Sequence, residues 1–127
     1  MVIVDTSVWI EFLRNADSNI TSHLKQLLRS GKVAITGMIL AEILQGIKNP
    51  KEADTVKKGL ESLPFIGMQK EMWQLAGETS ALLRKKGITI PLSDIITGVI
   101  AGMEKYEIYT LDSHFEKIPD VILHNPE

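Results

Sequence analysis

The chain is predicted to fold as α/β, a mostly parallel sheet between helices in three layers, on three observations. Short β-branched runs recur along its 127 residues, segments with apolar residues at helical spacing separate them, and Gly, Pro, Ser or Asp marks the joins. Strands that alternate with helices need right-handed crossovers, which lay the helices over both faces of the sheet. Val2-Ile3-Val4 is the first strand, and Asp5-Thr6-Ser7 behind it signals a helix start. Val8, Trp9, Phe12 and Leu13 follow at helical spacing. Asp17-Ser18 opens a second helix with Ile20, Leu24, Leu27 and Leu28 on one face, closed by Gly31. Val33–Thr36 is the second strand. The next helix, Gly37 to Lys48, has a stripe of Ile39, Leu40, Ile43, Leu44 and Ile47 and stops before Pro50. Lys51 to Leu63 is a more polar helix, and Pro64–Gly67 a short strand. A long helix from Gln69 to Lys86 puts Met72, Leu75, Ala76, Leu82 and Leu83 on one side and ends at Gly87. Another runs from Ser93-Asp94 to Lys105; Glu107–Thr110 and Val121–Leu123 complete the strands.

Composition narrows the function. Fourteen Lys+Arg stand against 16 Asp+Glu, a formal net charge of −2 that lowers the prior for simple electrostatic binding of nucleic acid. There is no cysteine, hence no disulfide framework, thiolate zinc site or thiol nucleophile. The N-terminus reaches a carboxylate at once and lacks the basic start of a signal peptide, and no apolar run is long enough for a membrane span. The expectation is one soluble cytoplasmic domain, residues 1–127, with no membrane partner.

Parallel sheets place ligands beyond the carboxyl ends of their strands. Asp5 and Asp112 follow strands there, Asp94 opens a helix, and Glu42 lies in the helix after the second strand. Each Asp also suits a helix N-cap, and Glu42, off its helix's apolar stripe, suits a solvated position. Two features weigh towards a shared site. Gly98, Ala101 and Gly102 share the helix face of Asp94, while Ile95, Ile96, Val99, Ile100 and Met103 cover the other side, so this helix is packed on both. An Asp on the small face then points inward, where an unpaired carboxylate is expensive. Several such acids together repel unless a cation joins them, and hard oxygen donors suit Mg²⁺ or Mn²⁺.

Val-Asp-Thr-Ser-Val-Trp-Ile at 4–10, Ala-Glu-Ile-Leu-Gln-Gly at 41–46, Leu-Ser-Asp-Ile-Ile-Thr-Gly-Val-Ile-Ala at 92–101 and Tyr-Thr-Leu-Asp-Ser-His-Phe at 109–115 occur in this order. Together they resemble the PIN-domain ribonucleases, most closely the VapC-type toxins of toxin–antitoxin pairs, over essentially the whole chain. The resemblance implies a first strand at the centre of the sheet and a metal-dependent endoribonuclease. Asp5, Glu42, Asp94 and Asp112 fall on the family's four acidic positions, and Thr6 or Ser7, and Thr110, on its supporting hydroxyl positions. Asp5 and Asp94 would then be the main ligands of Mg²⁺ or Mn²⁺, with Glu42 and Asp112 binding directly or through water. Two such ions would bring the formal −2 to about +2, easing the objection from the acidic balance. The resemblance also implies an RNA substrate, a VapB-like antitoxin and a homodimer. One departure is visible: the family often has Thr-x-Asp-x-Asp-Phe near its end, and here His114 takes the second Asp, which withholds a family role from position 114.

Other readings stand beside this one. A PIN fold that binds RNA or a partner without cutting it has the same acids. A receiver-like phospho-accepting domain shares the size and the acidic strand ends, but lacks paired acids after the first strand and a late Lys-Pro. Arg14, Lys48, Lys51, Lys57, Lys58 and Arg84-Lys85-Lys86 are candidate phosphate contacts or solvated charges. Trp9 and Trp73 are expected in the core, and His23, His114 and His124, without metal-ligand spacing, on the surface.

Overall fold

The computed structural model describes residues 1–14 and 17–126. Its sheet has five strands, β1 (Val2–Val4), β2 (Val33–Thr36), β3 (Phe65–Ile66), β4 (Glu107–Tyr109) and β5 (Ile122–Leu123), in the order β3-β2-β1-β4-β5. Every pairing is parallel, with Ile3 opposite Ala34 on one side and Ile108 on the other. Among the described residues six helices connect them: α1 (Thr6–Leu13), α2 (Asn19–Arg29), α3 (Gly37–Gln45), α4 (Pro50–Leu60), α5 (Lys70–Lys85) and α6 (Leu92–Glu104). The receiver-like alternative is overturned here, because that fold orders its strands 2-1-3-4-5.

This order sets the position of the site. From β1 the chain steps to β2 and β3 on one side, then crosses to β4 on the other. The switch point therefore lies between β1 and β4, and a crevice opens beyond their carboxyl ends. All residues of β1 and β2 are buried, as a central parallel strand covered on both faces requires. The core extends to Val8, Leu24, Ile39, Ile95, Ile100 and Phe115.

Local chemistry accounts for the helix boundaries. Ser18, Thr36 and Asn49 each cap a helix by accepting a backbone N–H, at 3.2 Å from Thr21, 3.2 Å from Ile39 and 2.9 Å from Lys51. Gly31 and Gly87 adopt φ of +66° and +78°, a region that suits glycine, after α2 and α5. The apolar side of α5 divides: Met72, Ala76 and Leu83 are buried, whereas Leu75 and Leu82, expected with them, are exposed. Trp73, expected in the core, is 54% exposed, and Met103 also faces solvent. Among the described residues, no helix is long and apolar enough to cross a membrane.

Helix α6 is buried from Ile95 to Ala101, packed on both sides as its composition requires. A Cβ on Gly98 would lie 2.9 Å from Cγ2 of Ile118, and one on Gly102 3.4 Å from the Asp120 carbonyl. The tight approach on the small face thus involves side chains at Gly98 and backbone at Gly102. Behind β4 a short 3-10 helix, Ser113–Lys117, which the sequence reading did not anticipate, seats Phe115 in the core.

Candidate metal centre

Asp5 ends β1 at the switch point and is 7% exposed. It stands at the N-cap of α1, yet its side chain makes no capping hydrogen bond. Its Oδ2 instead accepts from Ser7 Oγ at 2.7 Å and from Thr110 Oγ1 at 2.8 Å. Thr110, just after β4, also accepts from the Asp112 backbone N–H at 2.9 Å. One hydroxyl thereby ties the acid of β1 to the segment carrying the acid behind β4. Ser7 Oγ accepts from Leu111 N at 3.1 Å, a second link across the crevice.

Asp112 is the N-cap of the 3-10 helix, accepting from His114 N at 2.9 Å, so there the capping role and a place at the crevice coexist. Asp94 is not a cap, since Pro91 holds that position of α6. Burial first, then the Asp5 and Asp112 charges, raise its pKa to about 6, against a smaller opposing pull from His114. Glu42 is half-buried and accepts from Thr6 Oγ1 at 2.9 Å, so its reading as a solvated charge is corrected. Thr6 joins Glu42 to α1, while Ser7 and Thr110 support Asp5.

His114, expected on the surface and without a family role, stands among the acids. Its Nδ1 lies 3.1 Å from Asp112 Oδ1 and 3.4 Å from Asp94 Oδ2, and is buried without a hydrogen-bond partner among the described residues. Donor atoms of Asp94, Asp112 and His114 all lie within 4.8 Å of one another. Carboxylates crowded until one holds its proton to about pH 6, beside an orphaned imidazole nitrogen, fit a divalent cation. The Thr-x-Asp-x-His spacing was the available signal for His114, since the 3-10 turn folds position 114 back onto Asp112.

The threonine linkage is testable. Thr110→Val removes the hydroxyl that orients Asp5 but preserves shape, and should weaken Mn²⁺ binding about 10- to 100-fold in calorimetry. Unchanged affinity would reject an orienting role.

The family model of the PIN domain matches residues 2–121. Ribonuclease VapC2 of Rickettsia felis is 23% identical over 128 residues, covering 97% of this chain and 96% of the relative. Ribonuclease VapC11 of Mycobacterium tuberculosis is 24% identical over 122 residues, covering 93% and 91%. Among solved structures, the crystal structure of DNA-bound VapBC from Salmonella typhimurium superposes with a TM-score of 0.82, at 22% identity and over 97% of this chain and 96% of that one.

Proposed function

Because this chain belongs to the PIN domain family, we propose that it is a divalent-metal-dependent endoribonuclease, the toxin of a type II toxin–antitoxin pair that acts in the cytoplasm. The observation that carries this reading is the meeting of Asp5, Asp94, Asp112 and His114 at the β1–β4 crevice. The VapC names of the relatives and the VapBC assembly of the structural neighbour support the substrate and the partner.

Asp5 and Asp94 are the main ligands for Mg²⁺ or Mn²⁺, with Glu42 and Asp112 binding directly or through water. When bound, the cation acidifies water and offsets negative charge developing on the phosphodiester. The chain's own residues prepare that chemistry. Ser7 and Thr110 hold the Asp5 carboxylate in one orientation, and Thr6 does the same for Glu42. Asp94 has to lose its proton to serve as a ligand, so with its pKa raised to about 6 the proton and the cation compete for this carboxylate in the acid range. The chain's own contribution to hydrolysis is thus orientation and charge. An antitoxin that places a basic side chain in the crevice would neutralise the same acids and shut the site.

A test needs only RNA and metal. Purified protein free of antitoxin should fragment total RNA in Mn²⁺ while leaving single-stranded DNA intact. Intact RNA at every Mn²⁺ and Mg²⁺ concentration would overturn the enzymatic reading in favour of a PIN fold that binds without cutting.

A homodimer is proposed on a separate observation. Phe65 on the edge strand β3 and Trp73 on α5 are 60% and 54% exposed, and they line one apolar hollow with Met38, Ile66 and Met68. A second copy covering this face would bury both aromatic rings. Trp73→Asp should shift the sedimentation coefficient from dimer to monomer while leaving the far-ultraviolet circular dichroism of the fold unchanged. A wild-type monomer, or a variant that stays dimeric, would reject this face as the interface.

A further inference from the structure

A second cluster of titratable groups lies away from the acidic crevice, where α2 meets the β4–β5 edge of the sheet. His23 on α2 and His124 just after β5 are both half-buried, with their Nε2 atoms 2.7 Å apart. The Nδ1 of His124 lies 2.7 Å from Glu107 Oε1. That carboxylate fixes the tautomer: Nδ1 of His124 donates to Glu107, and its Nε2 presents a lone pair to His23. A carboxylate behind one imidazole nitrogen, with a lone pair presented by the other, is the arrangement that orients histidine towards a metal.

We infer that His23 and His124 form a binding site for a borderline divalent transition metal of the Ni²⁺ or Cu²⁺ class, with Glu107 as the positioning residue behind His124. Two Nε2 atoms 2.7 Å apart, each about 2.0–2.1 Å from one ion, subtend about 80–85° at the metal. That is close to the cis angle of square-planar or octahedral coordination. A tetrahedral ion would need the nitrogens about 3.3 Å apart, so Zn²⁺ is favoured less. A hollow of about 310 Å³ lined by Asn19, Ser22 and Gln26 adjoins His23. The remaining positions open onto a cavity of about 460 Å³ that both histidines line, with Lys32 and Lys105 in its wall and room for water ligands. Affinity therefore comes from nitrogen lone pairs rather than Coulomb attraction, which excludes Mg²⁺ and separates this site from the carboxylate crevice.

Without metal, His23 donates its Nε2 proton to His124. With metal, that proton sits on Nδ1 of His23, so binding to the neutral pair releases none. Burial, and then the proximity of His124, lower the His23 pKa and favour the neutral ring that a ligand requires. The two histidines are 101 residues apart, so a bound ion would cross-link α2 to the segment that follows the exposed edge strand β5.

Calorimetric titration of Ni²⁺ into the full chain should show a saturable site that persists in Asp94→Asn, where the carboxylate crevice is disabled, and a higher melting temperature with Ni²⁺. His23→Ala and His124→Gln should each weaken binding at least about tenfold, and Glu107→Gln about 10- to 100-fold. Mn²⁺ binding and RNA cleavage should stay unchanged in all three, and Asp94→Asn should keep the Ni²⁺ site. Zn²⁺, as a diamagnetic probe at high concentration, should move the wild-type His23 and His124 Nε2 nitrogen resonances, a readout that needs no variant. No Ni²⁺ binding by the wild type, equal binding by the histidine variants, or Nε2 resonances that Zn²⁺ leaves in place would each overturn the proposal and leave a plain imidazole–imidazole hydrogen bond.

Discussion

Asp94→Asn is expected to lower RNA cleavage by more than about 100-fold and yet to raise the melting temperature of the metal-free protein at neutral pH. The loss of activity exceeds the 10- to 100-fold typical of residues that only orient a ligand, because Asp94 would hold the cation itself. The gain in stability follows from the same crowding. Burial and the Asp5 and Asp112 charges oppose the ionised form of Asp94, so removing its charge relieves a penalty. With its side chain 16% exposed, that relief is about 1–2 kcal/mol after allowance for solvent screening. For a chain of this size it raises the melting temperature by about 3–10 °C. A variant that cleaves normally would remove Asp94 from the site. One that is inactive but less stable than the wild type would contradict the electrostatic origin of the raised pKa.

The second large effect is expected on metal removal. Chelation should abolish cleavage, and Mn²⁺ should restore it together with thermal stability. At 100 times its dissociation constant, an ion that binds only the folded state stabilises by about 2.7 kcal/mol. The effect depends on pH with a defined sign. Asp94 binds its proton more tightly when folded, so stability of the metal-free protein falls as pH rises from near 3.8 to about 6, and the penalty is complete above that. Mn²⁺ needs the ionised carboxylate and therefore stabilises most above pH 6 and little below pH 4. Melting curves over this range, with Mn²⁺ and with chelator, should diverge on the alkaline side. Parallel curves, or activity that survives chelation, would count against a metal centre at these acids.

Much of this protein was legible because its signals are local. The β-branched runs at Val2–Val4 and Val33–Thr36, the caps Ser18 and Thr36, and the glycines at 31 and 87 each act within a few residues. The acids were legible for a different reason. A parallel sheet with right-handed crossovers sends residues that follow strands to one edge, so Asp5 and Asp112 meet whatever lies between them. Small residues on one face of α6 and bulky ones on the other likewise announced a helix buried on both sides.

The misreadings have a common cause. Trp73, Leu75 and Leu82 carry apolar side chains, but transfer free energy alone does not say which stripe of α5 meets the sheet and α6 and which is left exposed. Glu42 looked solvated on a helical wheel because its partner, Thr6, belongs to a different helix. His114 was set aside as a departure from the family pattern, whereas the 3-10 turn returns its imidazole to Asp94 and Asp112.

The sequence by itself determined the order of strands and helices, the parallel class and the set of acids at one edge, since periodicity, turn chemistry and chain connectivity are written along the backbone. Only the tertiary structure decided that burial and its neighbours drive Asp94 towards neutrality, and that Thr110 bridges Asp5 to the Asp112 backbone. It alone brought His23 against His124 across 101 residues. Those outcomes depend on burial and on distances of 2.7 to 3.4 Å between side chains remote in the chain, and packing sets such distances where local propensity cannot.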